Sequence, residues 1–258
     1  MTDATTTEEA TSGGQRLPDE LGALADGVGL TLHIVRHAET EYNVAHVMQG
    51  WSNSPITELG RRQIAAAGAA LAGVSFDAAF SSDLERTRLT AEGILAAHPS
   101  PPSLQLRESL REWNFGGNEE QPSAVVWGRL FEQHGLEVDR ELSAMRVLAE
   151  RMTWSDIFDG IADLDDTGQS EKAAETVVRA DLALADVIRS TTADAEPGDE
   201  RTVLVVSHGG FITTLLRQLT PEMTPNTILP NCSISTVRLR GTTWTLEGVG
   251  ERPEAFAA

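Results

Sequence analysis

Two short apolar runs in this 258-residue chain each stop at a histidine, and they constrain the fold more than any other feature. Leu30–Val35 ends at Arg36-His37, and Val203–Ser207, a nearly continuous β-branched run, leads into His208-Gly209-Gly210. Runs of this length and composition suit buried parallel strands, which carry apolar side chains on both faces. Helical signals lie between them. Thr57 is placed to cap a helix over Glu58–Leu71, with Leu59, Ile64, Ala67 and Leu71 along one stripe. Asp83 opens a second helix that runs to about Ala97 and stops before Pro99. Phe76–Phe80 reads as a further strand, Leu104–Leu106 as a short one, and Glu171–Arg189 as a helix. A fourth helix follows His208 and ends near Leu219, and Ser233–Leu239 with Thr243–Val249 reads as a hairpin around Arg240-Gly241. Strand–helix alternation of this kind predicts an α/β fold, a three-layer α/β/α sandwich with a mostly parallel central sheet.

Two segments stand apart from that pattern. Residues 1–28 are rich in Thr, Ser, Gly and acids and read as a flexible acidic tail ahead of a single domain over 29–258. Residues 118–168 form a long, mainly helical stretch carrying Trp127, Phe131, Trp154 and Phe158, which reads as an insertion or lid. The helical spacing of those aromatics suggests packing within the lid rather than contact with substrate.

Composition removes several function classes. The formal charge of −19 opposes nonspecific binding to nucleic acid or to an acidic membrane. A single cysteine, Cys232, excludes an intramolecular disulfide and a Cys-rich zinc site. No apolar run approaches the roughly 20 residues that span a bilayer, and MTDATTTEEATSGG has neither the basic nor the apolar part of a signal peptide. A cytoplasmic protein that binds neither nucleic acid nor membrane is the expectation. Lys172 is the only lysine among 20 basic side chains. Coding bias accounts for that scarcity, yet an acidic protein that binds an anion must concentrate its few arginines.

Ligands in open α/β sheets bind beyond the carboxyl ends of the strands. The first strand delivers Arg36 and His37 there, the second delivers Ser81-Ser82-Asp83 with Arg86 a helical turn later, and a third delivers His208. Two arginines and two histidines on one rim suit phosphate capture. Guanidinium forks bind phosphate oxygens in pairs, and the helix start after His208 adds backbone N–H donors. Like charge lowers the pKa of an imidazole among arginines, keeping it neutral and able to attack phosphorus. His33 and His37 are four apart, as in zinc helices, but they lie on a strand and lack the accompanying Glu, so no metal is expected.

These residues carry a resemblance. Arg36-His37-Ala38-Glu39-Thr40 is similar to the Arg-His-Gly-Glu-Thr signature of the histidine phosphatase superfamily, the phosphoglycerate-mutase-like clan. The match runs on through Asn43, Gln49-Gly50-Trp51, Pro55-Ile56-Thr57, Leu59-Gly60 and Gln63. It resumes at Ser81-Ser82-Asp83-Leu84 with Arg86-Thr87, and at Val206–Gly210. The resemblance spans roughly residues 30–250 and implies one histidine phosphatase domain of phosphoglycerate-mutase-like fold. It implies that His37 is the phosphorylated nucleophile and that Arg36, Arg86 and His208 complete the phosphate pocket. Asn43 and the Gly209 N–H are implied as further donors, and Gln49 and Gly50 as a loop touching substrate. Leu110–Gly116 is similar to the family's Leu-x-Glu-x-x-Phe-Gly segment, which makes Glu112 the candidate general acid. Glu39 is expected to be structural.

Two positions depart from the family pattern. Ala38 replaces the usual Gly, with a methyl that could crowd the pocket, and Asn118-Glu119-Glu120 stands where relatives often have Trp-Glu-Gly.

The resemblance implies metal-independent phosphomonoester hydrolysis through a phosphohistidine on His37, with no cofactor and a small phosphorylated metabolite as substrate. The alternative is a cofactor-dependent phosphoglycerate mutase. Against it, Gly117–Val126 lacks the Lys those mutases carry, Phe115 replaces a common Tyr, and Arg129, Arg140, Arg146 and Arg151 stand alone rather than as a pair. A catalytically idle phosphate-binding module would be expected to lose a core residue, and none is lost. Oligomeric state is not legible in the sequence.

Overall fold

Alternation along the strands sorts the core into two layers. The computed structural model describes residues 16–136, 147–148, 150–221 and 229–256. Along β1 (Gly29–Arg36), Leu30, Leu32 and Ile34 join one buried cluster while Val35 joins another. Strands β2 (Ala78–Ser82) and β4 (Glu200–Ser207) divide the same way, with Phe80, Val203 and Val205 on one side and Ala79, Leu204 and Val206 on the other. Successive side chains of a strand point to opposite faces, so both faces of the sheet need cover. Each such Leu, Ile or Val contributes roughly 1.5–3 kcal/mol by leaving water.

The cover comes from helices numbered along the chain: α1 (Pro18–Ala23), α2 (Glu41–Val44), α3 (Glu58–Leu71), α4 (Glu85–Leu95), α5 (Ser123–Gln133), α6 (Trp154–Asp163), α7 (Ala173–Thr192) and α8 (Gly209–Leu219). Leu21 of α1, Leu184 and Ile188 of α7, and Phe211 and Leu215 of α8 pack with Leu30 and Val203. Ala67 and Leu71 of α3, with Ala91 and Ile94 of α4, pack on the opposite face. With β3 (Leu104–Arg107), β5 (Ile234–Arg240) and β6 (Thr243–Glu251), the strand order is β3-β2-β4-β1-β5-β6. Pairs β1–β4, β2–β3 and β2–β4 are parallel, and the β5–β6 hairpin adds the antiparallel edge. The predicted three-layer sandwich with a mostly parallel sheet is therefore present. Thr57 caps α3 as predicted, its hydroxyl accepting from the Gly60 N–H at 2.9 Å.

The expectation of a flexible tail over 1–28 fails in its second half. Pro18–Ala23 is helical, and Leu21, Ala25 and Val28 are buried against the sheet. Leu21 lies on the helix and Ala25 and Val28 in the turn that follows it, three apolar residues that the surrounding acids obscured in a compositional reading. Residues 1–15 lie outside the described residues.

Within 118–168, α5 and α6 bury a core of their own: Val126, Leu130 and Phe131 pack with Ile157, Ile161 and Leu164, and Met48 from the loop after β1 joins them. Residues 137–146 lie outside the described residues. Asp165 closes the far end of this unit. Its carboxylate accepts from the backbone N–H groups of Gly117, Thr167, Gln169 and Ser170 and from the Thr167 hydroxyl. Among the described residues, no helix is long and apolar enough to cross a membrane.

Candidate active site

The carboxyl ends of β1 and β4 adjoin, and the backbone fixes both histidines. His37 N–H continues the sheet ladder by donating to the Ser207 carbonyl at 2.9 Å. The two rings then lie 5.2 Å apart between centroids, tilted by 59°. His37 Nδ1 is 2.8 Å from the Ala38 carbonyl oxygen. A carbonyl only accepts, so Nδ1 carries the proton and Nε2 keeps its lone pair. Burial, followed by the charges of Arg86 and Arg36, holds the His37 pKa well below the usual imidazole value. His208 is held down by burial and by the charges of Arg86, His37, Arg179 and Arg36, and its Nε2 meets the Ser82 hydroxyl at 3.0 Å.

Arg86 is wholly buried at the first turn of α4. Its Nη1 donates to the Ser52 carbonyl at 2.8 Å and its Nη2 to the Gly50 carbonyl at 2.6 Å. Burial pushes its pKa down to about 10, which leaves it charged at neutral pH. Arg36 donates to the Leu229 carbonyl. The Nε atoms of both arginines are buried without a partner in the protein, as is His208 Nδ1. Buried donors are seldom left unpaired, so these three are available to an anion.

Glu112 sits across from them at the start of α8. Its carboxylate accepts from the N–H groups of Gly210 at 3.0 Å, Phe211 at 2.7 Å and Trp113 at 3.0 Å. Burial raises its pKa, against the opposing pull of those three N–H groups and of Arg86. A Cβ on Gly210 would stand 2.9 Å from Glu112 Oε1, so glycine there lets the carboxylate reach the helix end. The Glu112 carbonyl accepts from Trp51 Nε1 at 2.8 Å and Arg179 Nη2 at 3.1 Å, which fixes the residue from two sides.

A pocket of about 250 Å³ opens over this cluster. Arg36, His37, Asn43, Gln49, Glu112 and Gly209 line one end. Arg86 and His208 are not part of the wall and stand buried behind it. Trp127, Trp154 and Phe158 line the other end with Phe115, which corrects the expectation that the lid aromatics only pack among themselves. Phe131 does stay in the lid core. Helical spacing could not separate the two roles, because three of the four side chains serve a core and a pocket wall together.

A model of the Histidine phosphatase superfamily (branch 1) matches residues 32–137 and 124–252, nearly the whole chain. The chain belongs to that superfamily. It is 31% identical over 208 residues to the mouse (Mus musculus) protein named fructose-2,6-bisphosphatase TIGAR, covering 71% of this chain and 74% of that one. It is 38% identical over 104 residues to a 2,3-bisphosphoglycerate-dependent phosphoglycerate mutase of Methylocella silvestris, a match that spans only 38% of this chain and half of that protein. In structure it resembles a phosphoglycerate mutase from Bacillus anthracis, with a TM-score of 0.78 at 29% identity over 88% of this chain and 95% of that one.

Within this member of the superfamily, Asn43 and Gln49 reach the pocket from a loop braced by their neighbours. Asn43 Oδ1 accepts from the Thr40 N–H at 3.2 Å and from Asn231 Nδ2 at 3.1 Å, and Gln49 bridges the hydroxyls of Thr40 and Ser54. Glu39 accepts from the Thr57 hydroxyl at 2.7 Å, the structural place expected of it. Ala38 does not crowd the pocket. It is buried in the core under α3 and α4 and has no left-handed backbone, so a methyl fits where relatives carry Gly. Glu120, at a Gly position of relatives, does adopt a left-handed φ of 63°.

Several residues of this site lay outside the sequence reading. Glu119 accepts from the N–H groups of Gly50, Trp51 and Ser52, the loop that binds Arg86. Asn231 also donates to the His37 carbonyl at 3.0 Å. Ser82 meets His208, and Arg179, paired with Glu171, donates to the carbonyls of Ser109, Arg111 and Glu112. Of these, Ser82 lies in the Ser81-Ser82-Asp83 block read from the sequence and Glu119 is the one acid retained in the altered Trp-Glu-Gly segment, whereas Asn231 and Arg179 left no signal. Among the described residues no group of three His, Cys, Asp or Glu side chains could hold a metal ion.

Proposed function

We propose that this protein hydrolyses phosphomonoesters through a phosphohistidine on His37, without a metal. The supporting observation is the state of His37: Nδ1 is committed to the Ala38 carbonyl, and burial with Arg86 and Arg36 keeps the ring neutral. Nε2 is therefore a nucleophile. In this scheme Arg36, Arg86 and His208 hold the phosphoryl oxygens, taking the charge-neutralising part that a cation plays elsewhere. His37 Nε2 forms a bond to phosphorus as the P–O ester bond breaks, and protonated Glu112 gives its proton to the departing alkoxide. Water then attacks the phosphohistidine while the Glu112 carboxylate accepts its proton. Phosphate leaves, and both residues regain their starting forms.

Hydrolysis is favoured over mutase chemistry because no arginine or lysine among the described residues lines the pocket beyond its phosphate end. A mutase must retain a bisphosphate while it reorients, which needs further cations. Arg129, one candidate for that task, donates to the Leu164 carbonyl and does not line the pocket, while Arg140 and Arg146 lie outside the described residues. The test supplies 3-phosphoglycerate with catalytic 2,3-bisphosphoglycerate, and in parallel a generic aryl phosphate. Phosphate release from the aryl ester that outpaces isomerisation supports the proposal. Isomerisation faster than any phosphate release overturns it in favour of the mutase, and no turnover at all favours an idle phosphate-binding module.

A further inference from the structure

The two ends of the pocket differ in chemistry in a way that specifies the alcohol half of the substrate. Beyond the phosphate end, the wall is formed by Phe115, Trp127, Trp154, Phe158, Val47 and Leu229. Ser123 and Thr213 supply neutral polar groups there, and the only ionisable side chains of the described lining are Arg36, His37 and Glu112 at the phosphate end. Arg217 has its guanidinium 5.4 Å from the Trp154 ring centroid but does not line the pocket. The aromatic wall is also braced from behind: Phe158 lies 4.6 Å from Trp154 and 4.0 Å from Trp113 between centroids, and Trp113 is buried.

Resting on the hydrolase reading above, we propose that the substrate is the monophosphate of an uncharged, largely apolar alcohol, with a ring or short hydrocarbon body that packs between Trp127, Trp154 and Phe158. An apolar body gains free energy by leaving water against these rings. A second phosphate or a carboxylate in the same place loses its hydration against aromatic faces that, among the described lining residues, carry no cation beside them, a penalty that binding at the phosphate end does not return. The same wall excludes bulk water from the leaving oxygen, where Glu112 must deliver its proton.

The direct test compares benzyl phosphate with 4-carboxybenzyl phosphate, which share a ring and a similar leaving alkoxide and differ in one anionic group. Phosphate release is measured for both, with 4-nitrophenyl phosphate as a reference for hydrolysis itself. We expect kcat/KM for benzyl phosphate to exceed that of the carboxylated ester by about 100-fold. A ratio near one, or reversed, with the reference ester still hydrolysed, overturns this substrate class and leaves the hydrolase reading standing. Absence of phosphate release from all three contradicts the hydrolase reading and this inference with it. In Trp154→Leu the ratio should fall by about 10-fold, since a smaller side chain opens the wall to water. An unchanged ratio in a folded variant would remove Trp154 from the assignment, and the wild-type comparison stands whether or not the variant folds.

Discussion

Glu119 holds Arg86 in place through one loop. Its carboxylate accepts from the backbone N–H groups of Gly50 at 3.0 Å, Trp51 at 2.8 Å and Ser52 at 3.1 Å, and the carbonyls of Gly50 and Ser52 accept from the Arg86 guanidinium. A Cβ at Gly50 would stand 2.2 Å from the Trp113 carbonyl, so the loop passes too close to that chain for any other residue. Anion, loop and cation thus form one assembly whose buried end faces His37.

That chain of bonds predicts a binding defect in Glu119→Gln, where an amide presents one acceptor and an N–H₂ group to donors that need a carboxylate. We expect the inhibition constant for inorganic phosphate and the KM to rise about 10-fold, with a smaller change in kcat. Lower thermal stability with an unchanged phosphate constant would assign Glu119 a structural role only.

Glu112→Gln tests proton delivery. The amide keeps the shape and cannot donate a proton to the leaving alkoxide. The loss in kcat should be about 100-fold or more for an alkyl phosphate and about 10-fold or less for 4-nitrophenyl phosphate, whose leaving group needs no acid. The pH profile gives an independent reading. Burial raises the Glu112 pKa, so its protonated form persists above the usual carboxylate range, and kcat/KM for the alkyl ester should fall as pH rises through that value. The variant should lose this limb. Equal losses on both esters would contradict the acid role.

Asp165 predicts acid sensitivity of the 118–168 unit. Burial alone would raise its pKa, but hydrogen bonds from Thr167, Ser170 and Gly117 override it and hold the carboxyl well below the ordinary range. A depressed pKa contributes stability that is complete above the unfolded value near ~4 and lost as pH falls towards the folded one. Asp165→Asn should therefore cost about 2 kcal/mol at neutral pH and show a flatter fall of Tm below about pH 4. Parallel curves for the two proteins would contradict this assignment.

The residues that read most clearly in the sequence are those whose chemistry and location coincide in one short segment. Arg36-His37 and His208 sit at ends of apolar runs, and Arg86 and Glu112 lie inside recognisable blocks, so periodicity and motif resemblance suffice to group them. The bracing was not legible, because it joins segments far apart. Asn231 reaches the Asn43 side chain across 188 positions, and Arg179 reaches the backbone carbonyl of Glu112 across 67, where the acceptor leaves no trace in residue type. α1 was hidden differently: Asp19 and Glu20 dominate its composition, while the buried Leu21, with Ala25 and Val28 just after the helix, carries the packing. The formal charge of −19 likewise concealed a local reversal, since two buried arginines set the potential around His37 and His208.

The central claim is that His37 carries the phosphoryl group, and rapid quenching tests it most directly. Protein mixed with a phosphate-labelled aryl ester and denatured within milliseconds should retain label that survives alkali and is lost in acid, located on His37 and absent from His37→Ala, which should not turn over. Label found on another residue, or turnover that persists in His37→Ala, would contradict the account.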